Sequence, residues 1–75
     1  MITFGERLQV SRKSKNLTQK QMSIKFNMTE RAYRAYENNT STPHFTNFIA
    51  LSDFFGVSLD YLVGRTDVPE VNKKK

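Results

Sequence analysis

Apolar residues recur along this chain at helical spacing, in blocks separated by polar punctuation, and nowhere alternate in the manner of a strand. Phe4 and Leu8 open the first block and predict a helix from about Thr3 to Lys15, with Asn16 placed to end it in a left-handed conformation. Position 11 of that stripe would suit an apolar side chain but holds serine, so either Val10 compensates through a small rotation or this helix packs loosely. A second helix opens at Thr18, whose hydroxyl can accept from the Gln21 amide while the Gln21 side chain returns to the cap; Leu17 and Met22 are spaced as a hydrophobic staple. Phe26 continues the stripe. Thr29 then caps a third helix, with Met28 and Tyr33 as a second staple, so two helices meet across a very short turn. Beyond a loop at 39–43, Phe45, Phe48, Ile49, Leu51, Phe54 and Phe55 predict a helix with a wide buried face, ended by Gly56. Four of the six phenylalanines fall here, and they are expected as core, not as a platform for stacking bases. Ser58 caps a last short helix, Leu59–Val63, stopped by Gly64. Asn16, Asn27 and Asn39 each stand where a helix stops, and all three read as backbone devices, because asparagine accepts positive φ more readily than most residues.

The expected fold class is therefore all-α: a compact five-helix bundle over residues 1–66, then a mobile polar and basic tail over 67–75. Seventy-five residues allow a single hydrophobic core. With no cysteine and one histidine, His44, a disulfide framework and a zinc site are both excluded, and no metal or cofactor is expected. The apolar stretches fall short of the ~18–20 residues that span a bilayer, and no signal pattern opens the chain, which reads as soluble and cytoplasmic with no membrane partner.

Charge changes the picture more than length does. The chain carries +5, and its distribution is lopsided. Residues 1–40 hold eight Lys and Arg against Glu6, Glu30 and Glu37, whereas 41–72 hold only Arg65 against Asp53, Asp60, Asp67 and Glu70; Lys73, Lys74 and Lys75 close the chain. A basic half beside an acidic half suggests one surface facing a polyanion and one turned away, although basic residues scattered over solvated helices would give the same count. On the third helix, Ala32, Tyr33 and Tyr36 share one side, and Arg31, Arg34, Ala35 and Asn38 the other. Arginine can bond guanine bidentately and a small side chain allows close approach to a thymine methyl, so the outward stripe suits a DNA groove; it equally suits an ordinary solvated face.

The series Phe4-Gly5-Glu6-Arg7-Leu8, Leu17-Thr18-Gln19, Tyr36-Glu37-Asn38 and Phe55-Gly56-Val57-Ser58-Leu59-Asp60-Tyr61-Leu62-Val63-Gly64-Arg65 resembles the Cro/repressor-type (XRE-like) helix-turn-helix family over residues 4–67. The resemblance implies a lambda-repressor-like domain, bacterial or phage-encoded, that binds double-stranded DNA as a homodimer on a two-fold operator and represses transcription. By position it assigns Thr29, Glu30, Arg31, Arg34 and Ala35 to base edges, and Gln19, Asn38 and Thr40 to the phosphate backbone. It pairs Arg12 with Glu37 in a structural ion bridge and puts the dimer contact near the last helix, at Val57, Leu59 and Tyr61; for Leu59 a place in the core is an equal explanation. The chain departs from the family's usual residues with Ser23 for alanine, Asn27 for glycine, and a 39–42 loop without Lys or Arg. Glu30 is the least expected, since a carboxylate at the groove repels phosphate; it should accept from a cytosine amino group or orient Arg31 or Arg34.

The rival reading is an antitoxin-like regulator that binds a partner protein and autoregulates its operon, in which case a toxin or antirepressor is the further partner. An enzyme is not expected, since the sequence has no glycine-rich phosphate loop and no carboxylate pair in an apolar setting. The chain also fits the DNA-binding domain of a longer repressor.

Overall fold

The helices begin where a hydroxyl meets the first free amides. The structure, a computed structural model, describes residues 2–70 and is all-helical there: α1 (Phe4–Ser14), α2 (Gln19–Lys25), α3 (Glu30–Glu37), α4 (Phe45–Phe55) and α5 (Leu59–Leu62). Thr18 and Gln21 form the expected capping box, and Thr3 and Glu6 form a second one. Thr29 and Ser58 accept from the amides of Ala32 and Tyr61. Caps of this kind contribute about 1 kcal/mol each, and α4 is the exception: His44 precedes it in an extended conformation without a side-chain cap. At the other ends, Asn16, Asn27 and Asn39 take φ of 59°, 56° and 63°, and Gly56 ends α4 with φ 69°. Helix α5 stops one residue before the expected Val63, which is its C-cap.

Leu8, Met22, Tyr33 and Leu62 are fully enclosed and form the core with Tyr36 and Leu51, one or more from each helix. Leu17 and Met28, the outer halves of the two staples, pack against it. Edge-to-face aromatic pairs fasten α4 to its neighbours, Phe4 with Phe48 at 5.1 Å and Phe26 with Phe54 at 5.6 Å between centroids.

Three expectations about faces are corrected. Val10 does not replace Ser11: Val10 is exposed, while Ser11 is buried beside Arg7 and Arg12. The buried side of α1 runs through Gly5, Leu8 and Arg12, and at Gly5 the helix lies so close to α3 that a Cβ would stand 2.3 Å from the Glu37 carbonyl oxygen. On α3, Ala32 is exposed, and the inward side is Tyr33, Tyr36 and Glu37. On α4 the buried face is narrower than predicted. Phe45, 69% exposed, and Ile49 lie one turn apart on an arc that points away from the packing of Phe48 and Leu51.

The chain does not leave the domain at residue 66. Arg7, buried, lies 3.9 Å from the centre of the Tyr61 ring, donates to the Thr66 carbonyl at 3.2 Å and pairs with Asp67 at 3.1 Å. The Pro69 carbonyl accepts from the Ser58 amide. The rest of the expected tail, with Lys73, Lys74 and Lys75, lies outside the described residues.

Candidate nucleic-acid interface

Helices α2 and α3 meet across residues 26–29, where the left-handed Asn27 reverses the chain and the Met28 amide donates to the Ser23 carbonyl. What fixes their angle is a buried carboxylate. Glu37 accepts from Arg12 Nε at 2.7 Å and Nη2 at 3.2 Å, from the Tyr33 hydroxyl at 2.6 Å and from Gln19 Nε2 at 3.0 Å. Arg12 also donates to the Leu17 carbonyl ahead of α2. One carboxylate thus joins α1, α2 and α3, and no buried side-chain donor or acceptor among the described residues lacks a partner.

Burial alone would push the Glu37 carboxyl up. The hydrogen bonds from Arg12, Tyr33 and Gln19, with the Arg12 charge, outweigh it and hold the group below its ordinary value of 4.5. Its hydrogen bond to Glu37 raises Arg12 against the opposing effect of burial. For Tyr33, burial and the hydrogen bond to Glu37 push the phenol far above 10.0.

On the outward side of α3, Arg31, Arg34 and Asn38 are exposed and Ala35 is half-buried between them. Arg31 takes part in none of the ion pairs among the described residues. Arg34 is held: its Nε donates to Gln19 Oε1 at 3.2 Å and its Nη2 to Glu30 at 3.0 Å. Of the alternatives for Glu30, the structure contains the contact with Arg34. Gln19 lies between Glu37, which can only accept, and Arg34, which can only donate, so its amide has one satisfactory orientation. Thr29 and Asn38 cap the two ends of α3, and the Thr40 hydroxyl donates to the Ala35 carbonyl, so all three stand around the exposed stripe.

The remaining assigned residues divide. Val57 and Leu59 line one open groove with Ile49, Ser52, Asp53, Ser58 and Asp60, whereas the Tyr61 ring is covered by Arg7. A residue with more than a backbone role is Asn39. Its Oδ1 accepts from the Gly5 amide at 2.9 Å and its Nδ2 donates to Thr3 Oγ1, so the end of α3 caps the start of α1. No sequence signal marks that bond, which joins residues 34 apart. Gly5 is visible in the sequence only as part of a motif, and its reason is the space that α3 leaves.

Among the described residues no three His, Asp or Glu gather in a metal-holding group, and no helix is long and apolar enough to cross a membrane. The family model described as helix-turn-helix matches residues 8–62, which include all of the α2–α3 pair. The chain is 43% identical over 60 residues to an uncharacterized HTH-type transcriptional regulator, YqaE, of Bacillus subtilis, a match covering 80% of this chain and 52% of that protein. It is 31% identical over 72 residues to the HTH-type transcriptional regulator ImmR of the same organism, covering 96% of this chain and 57% of that protein. It is 35% identical over 60 residues to the cryptic phage CTXphi transcriptional repressor RstR of Vibrio cholerae, covering 80% and 54%. The chain spans little more than half the length of these relatives. A capped helix pair fixed by one buried carboxylate, a family match across it and relatives of this kind lead to one conclusion: the chain belongs to the XRE-like helix-turn-helix family of transcriptional regulators.

Proposed function

We propose that this domain binds duplex DNA sequence-specifically, as a homodimer on a two-fold operator, and represses transcription by occluding the promoter. The observation that carries the reading is the outward face of α3, where Arg31, Arg34 and Asn38 stand exposed on a helix tied to α1 and α2 through Glu37. In this reading Thr29, Arg31, Arg34 and Ala35 meet base edges, and Gln19, Asn38 and Thr40 fix register on phosphates. One such helix spans only a few base pairs. Two copies, with half-sites about one helical turn (~34 Å) apart, supply the rest of the specificity, and the Val57–Leu59 groove is the contact between them. The names of ImmR and RstR, a regulator and a phage repressor, support regulation and repression here.

The test is a fluorescence-anisotropy titration against duplexes selected from a randomised pool, repeated across salt, for wild type and Arg31→Ala. The expected winners are palindromic, the log–log salt slope is about −0.9 per phosphate neutralised, and Arg31→Ala flattens preference at one base pair per half-site. A pool that yields no enriched sequence, with weak binding at physiological salt, would overturn the reading in favour of a protein-binding surface.

A further inference from the structure

The two arginines of the stripe are not equivalent, and the difference lies in which edge of each guanidinium is engaged. A guanidinium has five donors: one on Nε and two on each Nη. In Arg34 the side edge is engaged, with Nε on Gln19 and Nη2 on Glu30. Nη1, on the end edge, makes no hydrogen bond among the described residues, and Nη2 keeps a second hydrogen. Gln19 is in turn fixed by Glu37, which is fixed by Arg12, so a chain of hydrogen bonds runs from the interior of α1 to the surface of α3. Glu30 and Arg34 are four residues apart on one helix, a spacing that brings the two side chains together, and each is about half exposed, at 42% and 49%.

Resting on the proposed DNA-binding reading, we infer that Gln19 and Glu30 form a two-point mount. It fixes the Arg34 plane so that the end edge meets O6 and N7 of a guanine, and Glu30 positions Arg34 without reading a base itself. A free arginine on a helix surface samples many rotamers, and end-on bidentate pairing selects one plane. Gripping the side edge fixes that plane while leaving both end donors open. The carboxylate contributes a second effect. It faces the phosphates, so it weakens binding to every duplex alike, and the mount exchanges general affinity for discrimination at one base pair. Arg31, without such a mount, reads its own base pair less sharply than Arg34 does.

The test uses the selected operator and its single-base variants, titrated by anisotropy with wild type, Glu30→Ala, Glu30→Gln, Arg34→Ala and the double variant of Glu30→Ala with Arg34→Ala. Arg34→Ala and Glu30→Ala are expected to flatten the same guanine, each by about tenfold. Glu30→Ala binds non-specific duplex more tightly than wild type, and Glu30→Gln keeps most of the discrimination because its amide oxygen still accepts. In the Arg34→Ala background, removing Glu30 leaves base preference unchanged. The inference is overturned if Glu30→Ala flattens a different base pair, alters preference without Arg34, or leaves the guanine preference at the wild-type level. Thermal melts matching wild type separate lost preference from lost fold. A wild-type protein that selects no sequence would sink the DNA-binding reading itself and this inference with it, whereas intact selection with an Arg34-independent Glu30 effect would sink the mount alone.

Discussion

Residues 3–40 add a dense set of directional side-chain bonds to their share of the core, whereas α4, in residues 41–70, is held to them mainly by apolar contact. In the N-terminal segment a pair of capping boxes, a carboxylate with four donors and the Asn39 clamp tie α1, α2 and α3 at particular angles. In the C-terminal segment α4 lacks a side-chain cap and leans on Phe4 and Phe26 through Phe48 and Phe54, leaving Phe45 and Ile49 exposed. Apolar burial is large but tolerant of rotation, whereas a hydrogen bond weakens within a few tenths of an ångström. The segment that carries the α3 stripe is built with the less tolerant interaction. The other closes the core with Leu51 and Leu62 and leaves an open groove.

The sharpest way to break this contrast is Arg12→Ala. It strands a buried carboxylate, with an expected loss of about 3–5 kcal/mol by chemical denaturation. Arg12→Leu combined with Glu37→Leu should lose less than the single change, because no charge is left buried. The same bonds give an acid signature. Glu37 is held below 4.5, so the stability it contributes is present above that pH and is lost as pH falls through its lower folded value. Tyr33 works in the opposite range: its phenol is raised, so its contribution is complete below 10.0 and declines above it. Stability against pH for Glu37→Gln should lose the acid slope, and Tyr33→Phe some of the alkaline one. Equal slopes in wild type and variants would mean that other groups control both limbs.

Next in size is Gly5→Ala. Within a helix this change ordinarily stabilises, but here the new Cβ would lie 2.3 Å from a backbone oxygen, so α1 must move off α3. The expected loss is about 1–3 kcal/mol in thermal unfolding, and an unchanged or raised Tm would show that the two helices can separate freely.

Smaller again is a pair of matched substitutions, Asn39→Gly and Asn27→Gly. Both positions have positive φ, at 63° and 56°, which glycine adopts without strain. Only Asn39 also caps the Gly5 amide, so its replacement should cost about 1 kcal/mol while Asn27→Gly stays within about 0.5 kcal/mol. Equal losses at the two sites would reduce Asn39 to the backbone role that its sequence position suggests.

That pair also marks the limit of what the chain reveals by inspection. Thr18, Thr29 and Ser58 are legible as caps because a cap and its amide are three residues apart, and the asparagine turns are legible for the same local reason. The side-chain half of Asn39 is not, nor are the Arg7 contacts with Thr66 and Asp67, because nothing local distinguishes a side chain that bonds across 34, 59 or 60 residues. Periodicity identifies the helix of α4 but not how wide an arc its neighbours cover, so it assigns Phe45 and Ile49 to a core they do not reach. The stripe on α3 is readable as a pattern. That Glu30 and Gln19 hold one of its arginines is not, because the pattern gives the face and leaves the rotamers open.

The smallest expected effect tests the apolar side of the contrast. Phe45 is 69% exposed, so Phe45→Ser should change monomer stability by no more than about 0.5 kcal/mol despite the size of the side chain removed. Leu59, 36% exposed beside Val57 in the groove, should likewise have a small effect on the monomer when replaced by serine. The two differ in self-association. Sedimentation equilibrium should find the Leu59→Ser dimer weaker than wild type and the Phe45→Ser dimer unchanged, because only Leu59 lies in the groove assigned to the second copy. If Phe45→Ser instead lowers stability by as much as a core substitution, about 3 kcal/mol or more, the arc is covered after all. The apolar segment would then be as closely fitted as the one built on directional bonds.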